Sequence, residues 1–247
     1  MLLNEYDIFM TAFRKVAADR EQLKLINVYK GISVSYPATI AKLLEDTIVV
    51  KTNPHQLVCL ERDEETYIRC SKIEEVLRAR VIEISYAKSA AALTGFEPVG
   101  YDIGMRLQTR VQPDRFIEVI IQHIYNKGII LKGELCDLSQ NGMAVYVSLD
   151  QVPPRVFVKA TGVIIYLHMT DGENEEENDL VLNGAIENVR TQTYYGRARI
   201  GIRLLYEKGP PPILTKFIEK RRERLIDEIK EIAKNKQLSS TVGSDQF

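Results

Sequence analysis

Close to the N-terminus the apolar residues recur at helical spacing. Tyr6, Phe9, Met10, Phe13, Val16 and Ala17 fall on one stripe, which predicts a helix over about residues 4–20. Its polar side mixes Asp7, Arg14, Lys15 and Asp19 and lacks the cationic bias of a membrane-surface helix. The stripe is therefore expected to dock on a neighbouring barrel. The pattern then changes to alternation or short apolar runs. Residues 27–29, 32–36, 47–51, 56–60, 66–70 and 76–84 read as strands, with Tyr36-Pro37 and Asn53-Pro54 as turn signals between them. Many short strands at this spacing predict an antiparallel barrel.

Between about residues 95 and 115 the periodicity is lost, and Gly95, Pro98, Gly100, Gly104 and Pro113 mark a connection. Strand patterns resume at 117–121, 129–135, 143–147, 156–158, 162–167, 180–186 and 198–204, which predicts a second β-barrel. The acidic stretch 171–179 reads as a solvated strand connection, because it lacks the glycine and the carboxylate spacing of a calcium loop. Pro210, Pro211 and Pro212 set the start of a last helix, whose stripe is Leu214, Phe217, Ile218, Leu225, Ile229 and Ile232. Within it, the run from Lys220 to Arg224 reads as a solvated face with i,i+4 ion pairs. The polar tail from Asn235 is expected to fray. The expected fold class is mainly β: two antiparallel β-barrels with N-terminal and C-terminal α-helices. Its parts are a helix and barrel over 1–98, a connection over 99–115, a barrel over 116–207, a helix over 208–236 and a disordered tail over 237–247.

Composition narrows the function. A chain of 247 residues fits two ordinary domains. A net charge of −1 argues against a protein that lives on long nucleic acid. No secretory signal is visible at the N-terminus, and no apolar run approaches the roughly 20 residues that span a bilayer. The expectation is a cytoplasmic protein with no membrane insertion. Cys59, Cys70 and Cys136 show no metal-ligand spacing, and in the strand-like runs around Cys59 and Cys136 a cysteine reads as a small packing residue. His55, in an Asn-Pro-His turn, and His123 and His168, at strand ends, share no metal-ligand spacing either. With no P-loop, no dinucleotide fingerprint and no clustered acidic motif for a metal, an enzyme is not expected, nor is a cofactor.

Two short motifs remain. The first is Arg106-Leu107-Gln108-Thr109-Arg110, and the second is Asp137-Leu138-Ser139-Gln140-Asn141-Gly142. Arginine presents a planar fork of donors that suits a phosphate, or the O6/N7 edge of guanine. A carboxylate only accepts, so its natural partner is a donor edge such as guanine N1–H and N2–H₂. Asp137 and Ser139 are two apart and share a face of an extended strand, while Gly142 allows close backbone approach or a positive φ. Together these groups describe a guanine nucleotide. Taken singly, each motif is common: the arginine pair reads as a solvated face, and the Asp/Ser pair as local turn capping.

Taken together, in this order and ahead of a barrel, they make the stretch from Arg106 to about Tyr206 resemble a PilZ domain, a bacterial receptor module for cyclic di-GMP. Arg199-Ile200-Gly201-Ile202 is similar to that family's closing strand. The N-terminal region more loosely resembles the barrel that precedes PilZ in flagellar-brake-type proteins. The resemblance implies cyclic di-GMP as ligand, held by Arg106, Arg110, Asp137, Ser139 and Gly142, with Met105, Asn141 and Arg199 as further candidates. Met105, standing where a third arginine would precede the pair, mildly disfavours a stacked pair of ligands. The resemblance also implies a ligand-driven domain rearrangement that acts on a downstream protein of flagellar, surface-attachment or other regulatory machinery. Two alternatives stand beside it. One is a protein-interaction adaptor with an idle nucleotide site; the other is an RNA- or DNA-binding barrel. For the latter, Tyr194-Tyr195-Gly196-Arg197 is the one aromatic and basic patch, and a hairpin turn explains it equally well.

Overall fold

The computed structural model describes residues 5–100, 109–152, 158–170, 177–192 and 195–242. The chain divides into two compact units, one built from residues 1–107 and 224–247, the other from residues 108–223. Each is organised around a closed antiparallel barrel of six strands. The mainly β fold class, with a helix near each end, is the one the sequence predicts.

The first unit opens with α1 (Glu5–Ala18). Phe9, Met10, Phe13 and Val16 of its stripe are buried, and the Phe13 ring meets Phe96 edge-on with centroids 4.9 Å apart. The helix therefore docks on the barrel, as its mixed polar face implies. The barrel strands are β1 (Leu23–Tyr29), β2 (Ile32–Leu43), β3 (Thr47–Thr52), β4 (Glu65–Cys70), β5 (Ile73–Ser85) and β6 (Ala90–Val99), closed in the order β1-β2-β3-β6-β5-β4. Tyr36-Pro37 lies inside β2, with Pro37 opposite Lys24, and does not end the strand. A strand tolerates proline where the ladder does not call on its missing N–H.

Two elements depart from expectation. The run 56–60 is not a strand but part of α2 (Pro54–Asp63). Five consecutive buried residues, Gln56 to Leu60, carry no period that separates a helix from a buried strand. The flanks decide it. The Asn53 side chain accepts from His55 N at 2.9 Å, and Pro54 takes the first turn, an N-cap and a preset φ in place of a turn between strands. Glu64 closes the other end in the left-handed region (φ 56), its N–H reaching Leu60 O. Cys59 and His55 therefore sit on a helix. Burial pushes the Cys59 thiol up to about 12, which leaves it an inert packing group. A buried polar network holds α2 in place. Asn27 Nδ2 donates to Asp63 Oδ2 and Glu65 O, and its Oδ1 accepts from Gln56 Nε2 and Thr66 Oγ1.

The second departure is β6. Residues 95–99 belong to this strand and not to the connection. Ala90-Ala91-Ala92 has little β propensity, and Gly95 and Pro98 read as punctuation. Gly95 instead sits at φ 65 beneath the Arg80 guanidinium, where the pairing with β5 shifts register.

The second barrel comprises β7 (Glu118–His123), β8 (Ile130–Ser139), β9 (Gly142–Ser148), β10 (Gly162–Thr170), β11 (Glu177–Gln192) and β12 (Arg197–Leu205), closed in the order β10-β11-β12-β9-β8-β7. Inward positions such as Val119, Ile121, Leu131, Val145, Ile165 and Ile200 are fully buried. Of the expected strand 156–158, Val156 and Phe157 lie outside the described residues, and Val158 belongs to no strand. Residues 171–176 of the acidic stretch also lie outside them, and Glu177–Asp179 begin β11.

The last helix, α3 (Pro212–Val242), starts at the proline run as expected. It continues to Val242, past the fraying expected from Asn235. Leu214, Ile218, Leu225, Ile229 and Ala233 are its buried positions, and Arg221 is buried with them. Arg221 thus departs from the solvated face expected of its run.

Candidate functional site

The site is built on the β8–β9 hairpin. Ser139 pairs with Gly142 across a two-residue turn, Gln140-Asn141. The Ser139 hydroxyl donates to Gly142 O at 2.9 Å and is 3% exposed, so in this structure it fastens the hairpin. The turn is also held from β12 and the residue after it: Leu204 N donates to Asn141 O at 2.9 Å, and Tyr206 Oη donates to Gln140 O at 2.8 Å. Of the two reasons expected for Gly142, close approach is the one realised. A Cβ there would stand 2.9 Å from Ile202 O, and no positive φ occurs at this residue.

One irregularity aims the carboxylate. The β8–β9 register shifts between Leu135 and Asp137, which leaves Cys136 as the unpaired bulge residue. A bulge lets the strand turn an extra side chain outward. Leu135 and Leu138 point into the core, and Asp137 stands on the outer face with its side chain 12% exposed.

Two guanidiniums meet there. Arg110 Nη1 lies 3.1 Å from Asp137 Oδ1, and Arg199 Nη2 lies 2.5 Å from Oδ2. Arg110 arrives from the segment ahead of the barrel, where Val111 exchanges both backbone hydrogen bonds with Leu138 at 2.8 and 2.9 Å. Arg199 arrives from β12, facing Tyr146 of β9 and Arg190 of β11. Burial lowers the Arg199 pKa, but the hydrogen bond with Cys136 and the Asp137 charge outweigh it and raise the pKa. One carboxylate against two guanidiniums leaves a local positive excess. That excess suits a phosphate.

Each carboxylate oxygen thus accepts from one arginine. The Cys136 thiol also lies 3.9 Å from Oδ2. A carboxylate has about four acceptor sites, so Oδ1 retains one and the second site of Oδ2 holds only this long thiol contact. The arginines fix the carboxylate plane, and the remaining lone pairs can meet two parallel donors such as guanine N1–H and N2–H. Side-chain exposures of 35% for Arg110 and 24% for Arg199 leave both cations within reach of a solute.

Sequence and structure agree in part. Arg110, Asp137 and Arg199 come together; Ser139, Asn141 and Gly142 form the turn beside them. Arg106 and Met105 lie outside the described residues. Arg197, read from the sequence only as part of the 194–197 aromatic and basic patch, places its guanidinium 4.0 Å from the Tyr146 ring centroid and 5.3 Å from that of Tyr195. The period-two alternation of β12 was the available signal for its place beside the site, since it puts Arg197 and Arg199 on one face. Gly196 turns the chain into β12 at φ 60, and Tyr194 lies outside the described residues. His123 Nδ1 accepts from Tyr125 N and Asn126 N, and His168 pairs with Asp179 at 2.8 Å. Among the described residues no three metal-ligating side chains cluster, and no helix is long and apolar enough to cross a membrane.

No family model and no curated protein matches the sequence. Solved structures do. The chain is similar to the Bacillus subtilis inhibitor of motility MotI/DgrA, at 9% identity over 83% of this chain and 96% of that one, with a TM-score of 0.42. It is similar to Escherichia coli YcgR in complex with c-di-GMP, at 14% identity over 94% of this chain and 95% of that one, with a TM-score of 0.39. A third is the K. pneumonia MrkH–c-di-GMP complex, at 11% identity over 94% of this chain and 97% of that one, with a TM-score of 0.40.

Proposed function

We propose that this chain is a non-enzymatic cyclic di-GMP receptor of the PilZ type. The observation that carries the reading is the Asp137 carboxylate, fixed on the outer barrel face between Arg110 and Arg199, with an acceptor left on Oδ1 and only a long thiol contact beside Arg199 on Oδ2. A guanine Watson–Crick edge offers two adjacent N–H donors to such a carboxylate, while the guanidiniums offer donors to O6/N7 or to phosphate. Adenine presents an acceptor at N1 and would meet the carboxylate lone pairs in opposition, so cyclic di-AMP is the discriminating control. Arg106 joins the proposal as the second cation of the Arg-x3-Arg motif.

Isothermal titration tests the assignment. The wild type is expected to bind cyclic di-GMP with 1:1 or 2:1 stoichiometry and to ignore cyclic di-AMP. Arg110→Ala is expected to lose at least about 2 kcal/mol, roughly thirtyfold, because it gives up a charge-assisted contact. An Arg110→Ala variant that titrates like the wild type would show that the ligand lies elsewhere.

The downstream role belongs to the same proposal: on binding ligand the two domains rearrange, and the change regulates motility, surface attachment or related machinery. A ligand reorients domains only as far as it binds one arrangement more tightly than another. Small-angle scattering is therefore expected to change on saturation with cyclic di-GMP, and an unchanged profile would remove the rearrangement while leaving the binding site intact.

A further inference from the structure

We propose that Arg221 of α3 is a positioning residue for the nucleotide site, acting through Arg110; this rests on the receptor reading above. Leu214, Ile218, Arg221 and Leu225 follow one another at spacings of four, three and four, and all four are buried. The guanidinium therefore stands in a helix stripe where an apolar side chain would avoid its desolvation penalty. It is 7% exposed.

What the guanidinium touches gives its position a reason. Arg221 Nε donates to Gln112 O at 2.7 Å, and Nη1 lies 3.6 Å from Asp114 Oδ2. Both acceptors belong to the segment between Arg110 and β7. That segment is fastened at either end. Val111 is bridged to Leu138, and Ile117 O accepts from Leu135 N at 3.0 Å. The Val111–Leu138 bridge is isolated, so no ladder carries the backbone beyond it. Arg221 takes over at the next carbonyl.

Val111 follows Arg110 and Leu138 follows Asp137, so whatever holds this stretch of backbone also sets the approach of Arg110 to Asp137. A long, part-exposed arginine aims well only from a fixed backbone, and ordering that backbone at the moment of binding would weaken the complex. With Arg221 in place the order exists before the ligand arrives. α3 thereby contributes to the site without touching the nucleotide.

The test is a double-mutant cycle read by titration with cyclic di-GMP, beside the melting temperature of each ligand-free protein. Arg221→Met keeps an unbranched stem and removes the donors. It is expected to bind on the order of tenfold more weakly than the wild type. In the Arg110→Ala background the same change is expected to have no further effect, because the group it positions is gone. If the Met variant does not fold, the cycle is run with Arg221→Lys, which keeps stem and charge but loses the planar fork spanning the two acceptors. A severalfold loss is expected there, again absent in the Arg110→Ala background. Wild-type-like binding by the Arg221 variant overturns the inference. So do losses that multiply in the double variant, since those mark general destabilisation. A wild type that binds no cyclic di-GMP overturns the receptor reading and this inference together. Binding by the wild type with a multiplicative cycle overturns this inference alone.

Discussion

Asp137→Ala is expected to weaken cyclic di-GMP binding by at least about a hundredfold. The carboxylate would supply two charge-assisted hydrogen bonds to one guanine edge, each worth about 1.5–3 kcal/mol. Its removal also leaves Arg110 and Arg199, which now share it, facing each other without a counter-charge. The ligand-free variant should therefore lose about 1–3 kcal/mol of stability as well, visible as a lower melting temperature. Asp137→Asn separates the two effects. The amide nearly preserves shape and keeps one acceptor oxygen, but its NH₂ opposes one of the two guanine donors, so affinity should fall with a smaller loss of stability. Full affinity in the Asn variant would show that the carboxylate does not meet the base.

The largest effect on stability is expected from Phe13→Ala. Phe13 is fully buried on the docking face of α1, with its ring against Phe96 of β6. Truncating a buried phenylalanine costs about 3–5 kcal/mol, from the lost transfer energy and the cavity left behind, and the edge-on ring contact is lost too. Denaturant unfolding should show a large drop in midpoint. A drop under about 1 kcal/mol would mean that α1 is not part of the folded core. Because Phe13 and Asp137 belong to different compact units, the Phe13 variant is expected to retain cyclic di-GMP affinity at temperatures where it is folded.

The barrels were legible because alternation is a local property. Strands such as β7 and β12 bury every second residue over most of their length, and the chain states that pattern outright. Helices α1 and α3 were legible for the same reason at a different period, and the prolines ahead of α3 placed its start. What escaped were positions where local pattern is silent. The five-residue run of α2 has no period, and β6 is built from alanine, glycine and proline that a barrel accepts only because its neighbours close around them. Arg221 stands in a cluster of charges that reads as solvated, yet one of its members turns inward.

The candidate site divides in the same way. Arg110 and the Asp137–Gly142 motif could be singled out from residue chemistry, since donors and acceptors are written in the side chains. That Asp137 faces outward through a bulge at Cys136, and that Arg199, 62 residues away, shares it with Arg110, depends on strand order and register. Residue type sets what a group can bond to, and the chain alone determined that much. Which groups meet is set by pairings between distant strands, whose energies depend on the whole barrel closing, and only the tertiary structure decided it.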